Sequence, residues 1–329
     1  MQDYNRQHYL SRSAFQNPKP PYIKIGLGIM VLGVLLYVLT NSLSSTEILA
    51  PQVYEFSQEK PDSKPSASKN SNTQNEGIIY TSADEVVTAI DGLVQGKQGM
   101  YGWYVQSLLT GESYGRNDDF SFTAASINKV PILVSYLHGV EQGKFSLSDI
   151  YRLNDNDKEE GTGSIQYEDA GKPYTYEELI MAMGKQSDNT ATNAIARKVG
   201  RSQIQAFIDS RHMSQTNIVD NKTSPKDMGE LFSNIYLDFL FQDKNLKNLF
   251  IKALSNTDFE DRISKGVPEE TLVVHKIGNQ IQVWSDCGLV IAQNPYSICI
   301  LTDGIKETEA QDLLPKISHV IWNYESKRN

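Results

Sequence analysis

Apolar residues are distributed along this chain in two ways. Near the N-terminus they form one run: residues 25–39 read IGLGIMVLGVLLYVL, without a charge. Tyr22, Ile23 and Thr40 extend it to nineteen residues, about what a helix needs to cross a bilayer, and Lys24 is near enough to the end to snorkel. A core helix would keep a polar face, and this one has none. Beyond residue 78 the apolar positions become periodic instead. Ser82 and Glu85 read as a capping box opening a helix with Val86, Ile90, Leu93 and Val94 on one face. Residues 100–108 and 112–116 flank Thr110-Gly111 and predict a hairpin. From Ser126 to about Asn234 the spacing is helical, with little strand signal. Strands resume at 271–277, 283–291 and 296–302. A last helix carries Ala310, Leu313, Leu314, Ile317, Val320, Ile321 and Tyr324, with a kink or restart expected at Pro315.

Strands at both ends with helices between them predict an α/β fold. Its sheet is drawn from 78–120 and 240–329, and an all-helical lobe occupies 121–239. Residues 57–76 hold nothing more apolar than Ala67 and are rich in Ser, Asn, Lys, Gln and Pro, so they read as a tether that cannot offset its ordering entropy. The organisation expected is a cytoplasmic tail at 1–22, one transmembrane anchor at 23–40, a flexible linker at 41–77 and a folded domain at 78–329. Arg6, Arg12, Lys19 and Lys24 precede the apolar run against Asp3 alone, which leaves the N-terminus inside and the domain outside the cell membrane. The leader is long, no small-x-small cleavage site follows directly and no cysteine is there to accept a lipid. An uncleaved anchor is therefore expected rather than a removed signal peptide.

Composition narrows the function. The chain has 329 residues, 39% hydrophobic and 22% charged, with a formal charge of −9. Because the leader is basic, the remainder is more acidic still, a poor partner for nucleic acid. Two cysteines, Cys287 and Cys299, are too few for a disulfide framework or a zinc site. They fall on adjacent predicted strands, and pairing and buried free thiols both remain open. His8, His138, His212, His275 and His319 show no ligand spacing, so no metal or cofactor is expected. No Gly-x-Ser-x-Gly elbow occurs. Gly161-Thr162-Gly163-Ser164 lacks a Walker lysine and a preceding strand, and reads as a loop near a cleft mouth.

Three short motifs carry chemistry. Ser126-Ile127-Asn128-Lys129 opens an apolar helix; residues three apart share a face, so the Lys129 amine can reach the Ser126 hydroxyl as its base if its pKa falls. Ser-x-x-Lys also occurs in the linker at Ser57 with Lys60 and Ser66 with Lys69; position before an apolar helix sets Ser126 apart. Ser187-Asp188-Asn189 lies between two helical stretches, where Ser187 and Asn189 can face a cleft while Asp188 supports the turn. His275-Lys276-Ile277-Gly278 ends a predicted strand: Lys276 could bind a carboxylate, Gly278 would let a ligand lie along the strand edge, and His275, on the opposite face, reads as structural.

In this order, with 61 residues from Ser126 to Ser187 and 89 from Ser187 to Lys276, the motifs resemble the signature of class A β-lactamases and penicillin-binding DD-peptidases. The likeness runs from about Ile78 to the C-terminus and includes SINKVPILVSYLHGVEQGKFSLSDI and QSDNTATNAIARKVG. It implies an antiparallel five-stranded sheet flanked by helices, plus the helical lobe. It also implies that Ser126 is acylated and Lys129 activates it, while Ser187 relays a proton and Asn189 binds a substrate amide. Lys276 would bind the carboxylate and help to depress the lysine pKa, Arg262 would be a second carboxylate arginine, and the N–H groups of Ser126 and Asn279 would form an oxyanion hole. The acyl donor would be a β-lactam or a peptidoglycan stem peptide.

Two departures stand out. Ile277 replaces a Thr or Ser, removing a hydrogen bond to the substrate carboxylate. The segment resembling the omega loop, 213–226, reads MSQTNIVDNKTSPK and lacks the glutamate that would activate water. Its first carboxylate, Asp220, is expected at the loop neck. Acylation followed by slow release is the expected behaviour. A non-catalytic cell-wall-binding relative and an esterase on the same scaffold are the alternatives.

Overall fold

A capped helix and a hairpin lead into the site. In the computed structural model, which describes residues 78–328, Ala83–Val94 forms α1. Ser82 Oγ accepts from the Glu85 N–H at 3.3 Å, but the Glu85 carboxylate takes the Thr81 N–H, so the box closes one residue earlier than its pattern suggests. The expected hairpin follows, β1 (Met100–Ser107) with β2 (Ser113–Arg116). The short strand β3 (Phe122–Thr123) then delivers the chain to a 3₁₀ turn, Ala125–Asn128, and to helix α2, Lys129–Glu141. Most of α2 is buried whichever way its side chains point, which marks it as the central helix.

The helical middle holds short strands that the hydrophobic pattern does not reveal. β4 (Ile150–Arg152) pairs with β5 (Pro173–Thr175), and β3 pairs with β6 (Lys222–Thr223). Two or three residues are too few for a period of two to register. Between them lie α3 (Tyr176–Lys185), α4 (Asn189–Val199) and α5 (Arg201–Ser210). α6 (Pro225–Tyr236) has proline at its first position and Ser224 as cap, and α7 (Lys244–Leu254) follows.

Three long strands complete the main sheet: β7 (Leu272–Gln280), β8 (Val283–Ile291) and β9 (Tyr296–Asp303). The order is β2-β1-β9-β8-β7, with every neighbouring pair antiparallel. So β1, from the start of the domain, lies beside β9, from its end, as the distribution of strands along the chain implied. Alternate residues serve two cores. Val273, Ile298 and Ile300 pack with α1 and the last helix, α8 (Glu307–Glu325), while Val274, Cys299 and Leu301 pack toward α2. Burial on both faces explains the nearly unbroken apolar runs of β8 and β9. α8 runs through Pro315 as one helix rather than restarting there. Cys287 and Cys299 sit directly opposite on β8 and β9 and form a disulfide.

The expected tail, anchor and linker lie outside the described residues. Among those described, no helix is long and apolar enough to cross a membrane.

Candidate active site

Ser126 sits inside the 3₁₀ turn rather than on the α-helix, whose first residue is Lys129. Ser126 and Lys129 line one cavity, but the Lys129 amine is hydrogen-bonded to the 187–189 turn rather than to the Ser126 hydroxyl. The residue before Ser126, Ala125, has φ +48°, and Ser187 has φ +54°. Such backbone costs roughly 1–3 kcal/mol each in a non-glycine residue and persists where surrounding structure enforces it.

Lys129 is 7% exposed, and its amine is spent on the 187–189 turn. Nζ donates to Ser187 O at 2.5 Å, Ser187 Oγ at 3.0 Å and Asn189 Oδ1 at 2.7 Å. Burial lowers its pKa to about 8, with the charges of Asp188 and Glu159 opposing a further fall. A substantial neutral fraction near neutral pH is what a general base requires. Asp188 holds the turn from beneath: Oδ1 accepts from the Ala191 N–H at 2.8 Å and Oδ2 from the Ile165 N–H at 2.9 Å. The Gly-Thr-Gly-Ser stretch is the other half of this joint. Thr162 Oγ1 donates to Ser187 O at 2.6 Å, and a Cβ on Gly163 would come within 2.2 Å of Asp188 Oδ2.

The opposite wall is the end of β7. Lys276 is buried; Nζ reaches Ile277 O at 3.3 Å and lies 5.9 Å from the Phe259 ring centroid. Burial drives its pKa well below the lysine range, Lys129 and Arg262 push the same way, and Asp286 opposes them. The two lysines are therefore close enough to repel. Gly278 has a role beyond ligand access: a Cβ there would lie 2.7 Å from Ala124 O and 2.9 Å from Ile127 Cγ1. Its bareness lets the strand close on the turn that carries Ser126. Ile277 is buried, and Asn279 and Ser126 line one cavity.

Arg262, 1% exposed, lies behind this wall. Nη1 donates to Ser285 O at 2.7 Å and Nη2 to Asn279 Oδ1 at 2.6 Å, and the guanidinium lies 5.4 Å from the Trp284 ring centroid. It meets the cleft through Asn279. His275 is buried away from the cleft, as strand alternation predicts; Nδ1 contacts Asp286 Oδ1 at 2.8 Å and Nε2 contacts Glu260 Oε2 at 3.1 Å. Burial alone would lower its pKa, but the charge and hydrogen bond of Asp286, joined by Glu260, raise it to about 9.

The 211–224 segment closes a third side, and here the expectation for Asp220 is corrected. Asp220 is exposed, and the neck carboxylate is Asp227, whose Oδ2 accepts from the Gln215 N–H at 2.9 Å and Thr216 Oγ1 at 2.7 Å. As the third residue of α6, Asp227 faces back over the loop with its own N–H capped by Ser224. Ile218 and Asn221 line the cavity from this segment. Asn128 Nδ2 donates to Asn221 Oδ1 at 3.1 Å, and Asn221 Nδ2 to Gln280 Oε1 at 3.3 Å, a bridge from the Ser126 turn to β7. Asn128, Asn221, Glu159 and Phe259 escape a motif reading because nothing in their local spacing marks them; only Asn128 lies inside a motif. Among the described residues no group of three or more His, Cys, Asp or Glu could hold a metal ion.

The cleft thus joins Ser126, Lys129, Asn189 and Asn279 around one cavity, with Ser187 on the Lys129 amine and Lys276 behind. β-Lactamase VEB-1 of Pseudomonas aeruginosa is 21% identical over 278 residues, covering 75% of this chain and 93% of that protein. A β-lactamase of Streptomyces lavendulae is 20% identical, covering 59% and 70%. Among solved structures, PBP-A superposes with a TM-score of 0.69 at 22% identity over 73% of this chain and 95% of that one. A point mutant of PBP-A has been seen as an acyl-enzyme complex with penicillin G. A β-lactamase of Sphaerobacter thermophilus gives 0.70 at 21%, covering 76% and 100%. The family described as the beta-lactamase enzyme family matches residues 84–325, and the chain belongs to it.

Proposed function

We propose that this protein is a membrane-anchored, extracytoplasmic serine acyl-transfer enzyme that is acylated at Ser126 by β-lactams or peptidoglycan stem peptides and releases the acyl group slowly. One observation carries the reading. The cavity brings Ser126 together with a buried amine of depressed pKa, Lys129, yet the segment on its third side contributes Ile218 and Asn221 and no carboxylate. A nucleophile with its base supports acylation; the absence of a carboxylate from the 213–226 segment supports slow hydrolysis, the cavity's carboxylate, Glu159, lying instead on the loop after β4 and held by Asn193. Ser187 relays the proton to the leaving nitrogen through its 3.0 Å contact with Lys129, and the Ser126 and Asn279 N–H groups receive the oxyanion. Asn189 binds the donor's amide, and Lys276 binds its carboxylate, whose negative charge favours the protonated amine that burial alone disfavours. The apolar run at 25–39 supports anchoring with the domain outside.

Intact mass of the purified chain after incubation with a penicillin, beside Ser126→Ala, tests the reading. A lasting adduct of the penicillin's full mass on the native chain, absent from the variant, is expected. Rapid penicillin consumption without an adduct overturns slow release. Neither adduct nor consumption overturns the acyl-enzyme itself and favours a non-catalytic, peptide-binding relative.

A further inference from the structure

The strand that carries Lys276, Gly278 and Asn279 is the last in the main sheet. In the order β2-β1-β9-β8-β7, β7 is held by β8 alone, so its place depends on how firmly β8 is held to β9. The two ladders differ in reach. β7 pairs with β8 as far as Gln280 with Val283, whereas β8 pairs with β9 only as far as Asp286 with Ile300. Ser285, Trp284 and Val283, opposite Gly278, Asn279 and Gln280, lie beyond that last β8–β9 pair. Thr302 spans part of the gap, its N–H donating to Ser285 Oγ at 3.1 Å and its hydroxyl to Trp284 O at 2.8 Å. The site end of the β7–β8 hairpin thus projects past the backbone ladder that supports it.

The Cys287–Cys299 disulfide lies one pair in from that end. Cys287 is directly opposite Lys276 on β7, and Cys299 directly opposite Tyr104 on β1. Lys276, Cys287, Cys299 and Tyr104 therefore form one row across four strands, on one face of the sheet. A covalent bond joins the middle pair of this row where the ladder is about to give way, beside the amine that meets the donor's carboxylate. Both cysteines are 0% exposed, in the core on the α2 side of the sheet. The bond must then form while the domain folds, before the core closes over it, and the folded chain shields it from thiols in solution.

We propose that this disulfide is a positioning device for Lys276: it fixes β8 to β9 beside the edge strand, and so makes recognition of a carboxylate-bearing donor depend on folding in an oxidising compartment. The proposal rests on the acylation of Ser126 and the carboxylate role of Lys276 argued above. In forming the bond, the two thiols give up two protons and two electrons to a small-molecule disulfide, which leaves as two thiols. Free thiols cannot stand as close as bonded sulfurs, so without the bond β8 eases off β9 and carries β7 and Lys276 with it. A cytoplasmic thiol pool opposes the bond. A domain folded outside the membrane acquires a carboxylate site that one folded inside lacks.

The test uses the full chain in detergent, unfolded in urea with dithiothreitol and refolded with either excess dithiothreitol or oxidised glutathione. Iodoacetamide labelling and intact mass count the thiols, and acylation is followed with a penicillin and with its methyl ester, which lacks the carboxylate charge. A second unbridged form, Cys287→Ala with Cys299→Val, keeps the core filled and needs no reductant. The bridged chain is expected to favour the free penicillin about ten-fold in kcat/KM, the worth of one charge-assisted hydrogen bond, through a lower KM. Both unbridged forms should lose that preference while reacting with the ester within about two-fold of the bridged rate. An unbridged form that keeps the preference, an equal loss toward both donors, or failure of both unbridged forms to fold would overturn the positioning role and leave the bond a structural staple. Equal rates for the two donors on the bridged chain would remove Lys276 from the carboxylate role and the proposal with it. Absence of an adduct from either donor overturns the acylation reading instead.

Discussion

The guanidinium of Arg262 holds the side chain of Asn279, with Nη2 2.6 Å from Oδ1. Its other donor group, Nη1, is engaged by Ser285 O at 2.7 Å, and the side chain is sealed from solvent. Arg262 therefore reaches the cleft through the strand end that carries Asn279, where the proposed oxyanion would form. Replacing it with alanine leaves the buried Ser285 carbonyl without its donor and frees the exposed Asn279 side chain, and is expected to destabilise the domain by about 2 kcal/mol. Acylation should fall about ten-fold for donors with and without a carboxylate alike. Stopped-flow acylation with such a matched pair checks this; a loss confined to the carboxylate-bearing donor would show that Arg262 binds the carboxylate itself.

As the proposed base, Lys129 should set the pH response of acylation. With its pKa lowered by burial to about 8, the amine is mostly protonated at pH 6.5 and mostly neutral at pH 9. As the base toward Ser126 it must be neutral, so the acylation rate should climb about ten-fold for each pH unit below 8 and level off above it. Lys129→Ala should lose about 10²- to 10⁴-fold and flatten the profile. A native acylation rate that is level from pH 6 to 9 would remove Lys129 from the base role.

Much of this site is legible in the chain because its chemistry is local. Ser126 and Lys129 lie three residues apart, Ser187 to Asn189 are contiguous, and each group sits beside an apolar run that fixes its element. The long strands are legible for the same reason. What escapes depends on the path of the chain in space. Glu159 reaches the cavity on a loop that Asn189 holds to the 187–189 turn through Glu160 O and Thr162 O. Asp227 takes the neck role from Asp220 because the first turn of α6 aims it back across the loop, a direction no spacing encodes. The pairing of Cys287 with Cys299 needs the register of β8 against β9, which sets them face to face. Gly278 reads from the motif as room for a ligand, and its close approach to Ala124 and Ile127 is a second reason for a bare position that only the packing reveals.

Ile218 offers a gain-of-function test. It lines the cavity with Ser126 and Lys129 on the segment that supplies no carboxylate. Ile218→Glu places an acid on that wall, where it can take a proton from a water attacking the acyl carbon. Breakdown of the acyl-enzyme should quicken ten-fold or more while its formation changes little. Pulse-labelling with a fluorescent penicillin and following loss of label reads both rates. An unaltered label lifetime would mean that release is limited by something other than a missing base.

Gly163 packs directly against the 187–189 turn. Its φ of +95° is unfavourable for an alanine, and the added Cβ would overlap Asp188 at both its side chain and Cα. Gly163→Ala should cost roughly 2–4 kcal/mol, lowering the thermal midpoint by about 5–15 °C. Because Asp188 caps α4 and supports Ser187, acylation should fall as well, even at temperatures where the variant is folded. A variant as stable and as active as the native chain would show that the loop can move off the turn freely.

His275 carries the stability response to alkali. Its folded pKa of about 9 lies above the ordinary value near 6.5, because Asp286 and Glu260 flank it in the protein interior. Glu260 shows the reciprocal effect: burial would raise its carboxyl, but the hydrogen bond and charge of His275 outweigh this and hold it at about 2. A group whose pKa rises on folding contributes stability in full below its unfolded value and loses it as pH climbs through its folded value. The contribution of His275 should therefore be intact at pH 6 and gone above about pH 9.5, a loss on the order of 3 kcal/mol. The depressed lysines work in the opposite direction, so the comparison to make is native chain against His275→Gln, in which their effect cancels. Denaturant unfolding at half-unit intervals from pH 6 to 10 should show the native advantage shrinking toward the top of the range. An advantage that is constant with pH would mean that His275 stays neutral between its two carboxylates.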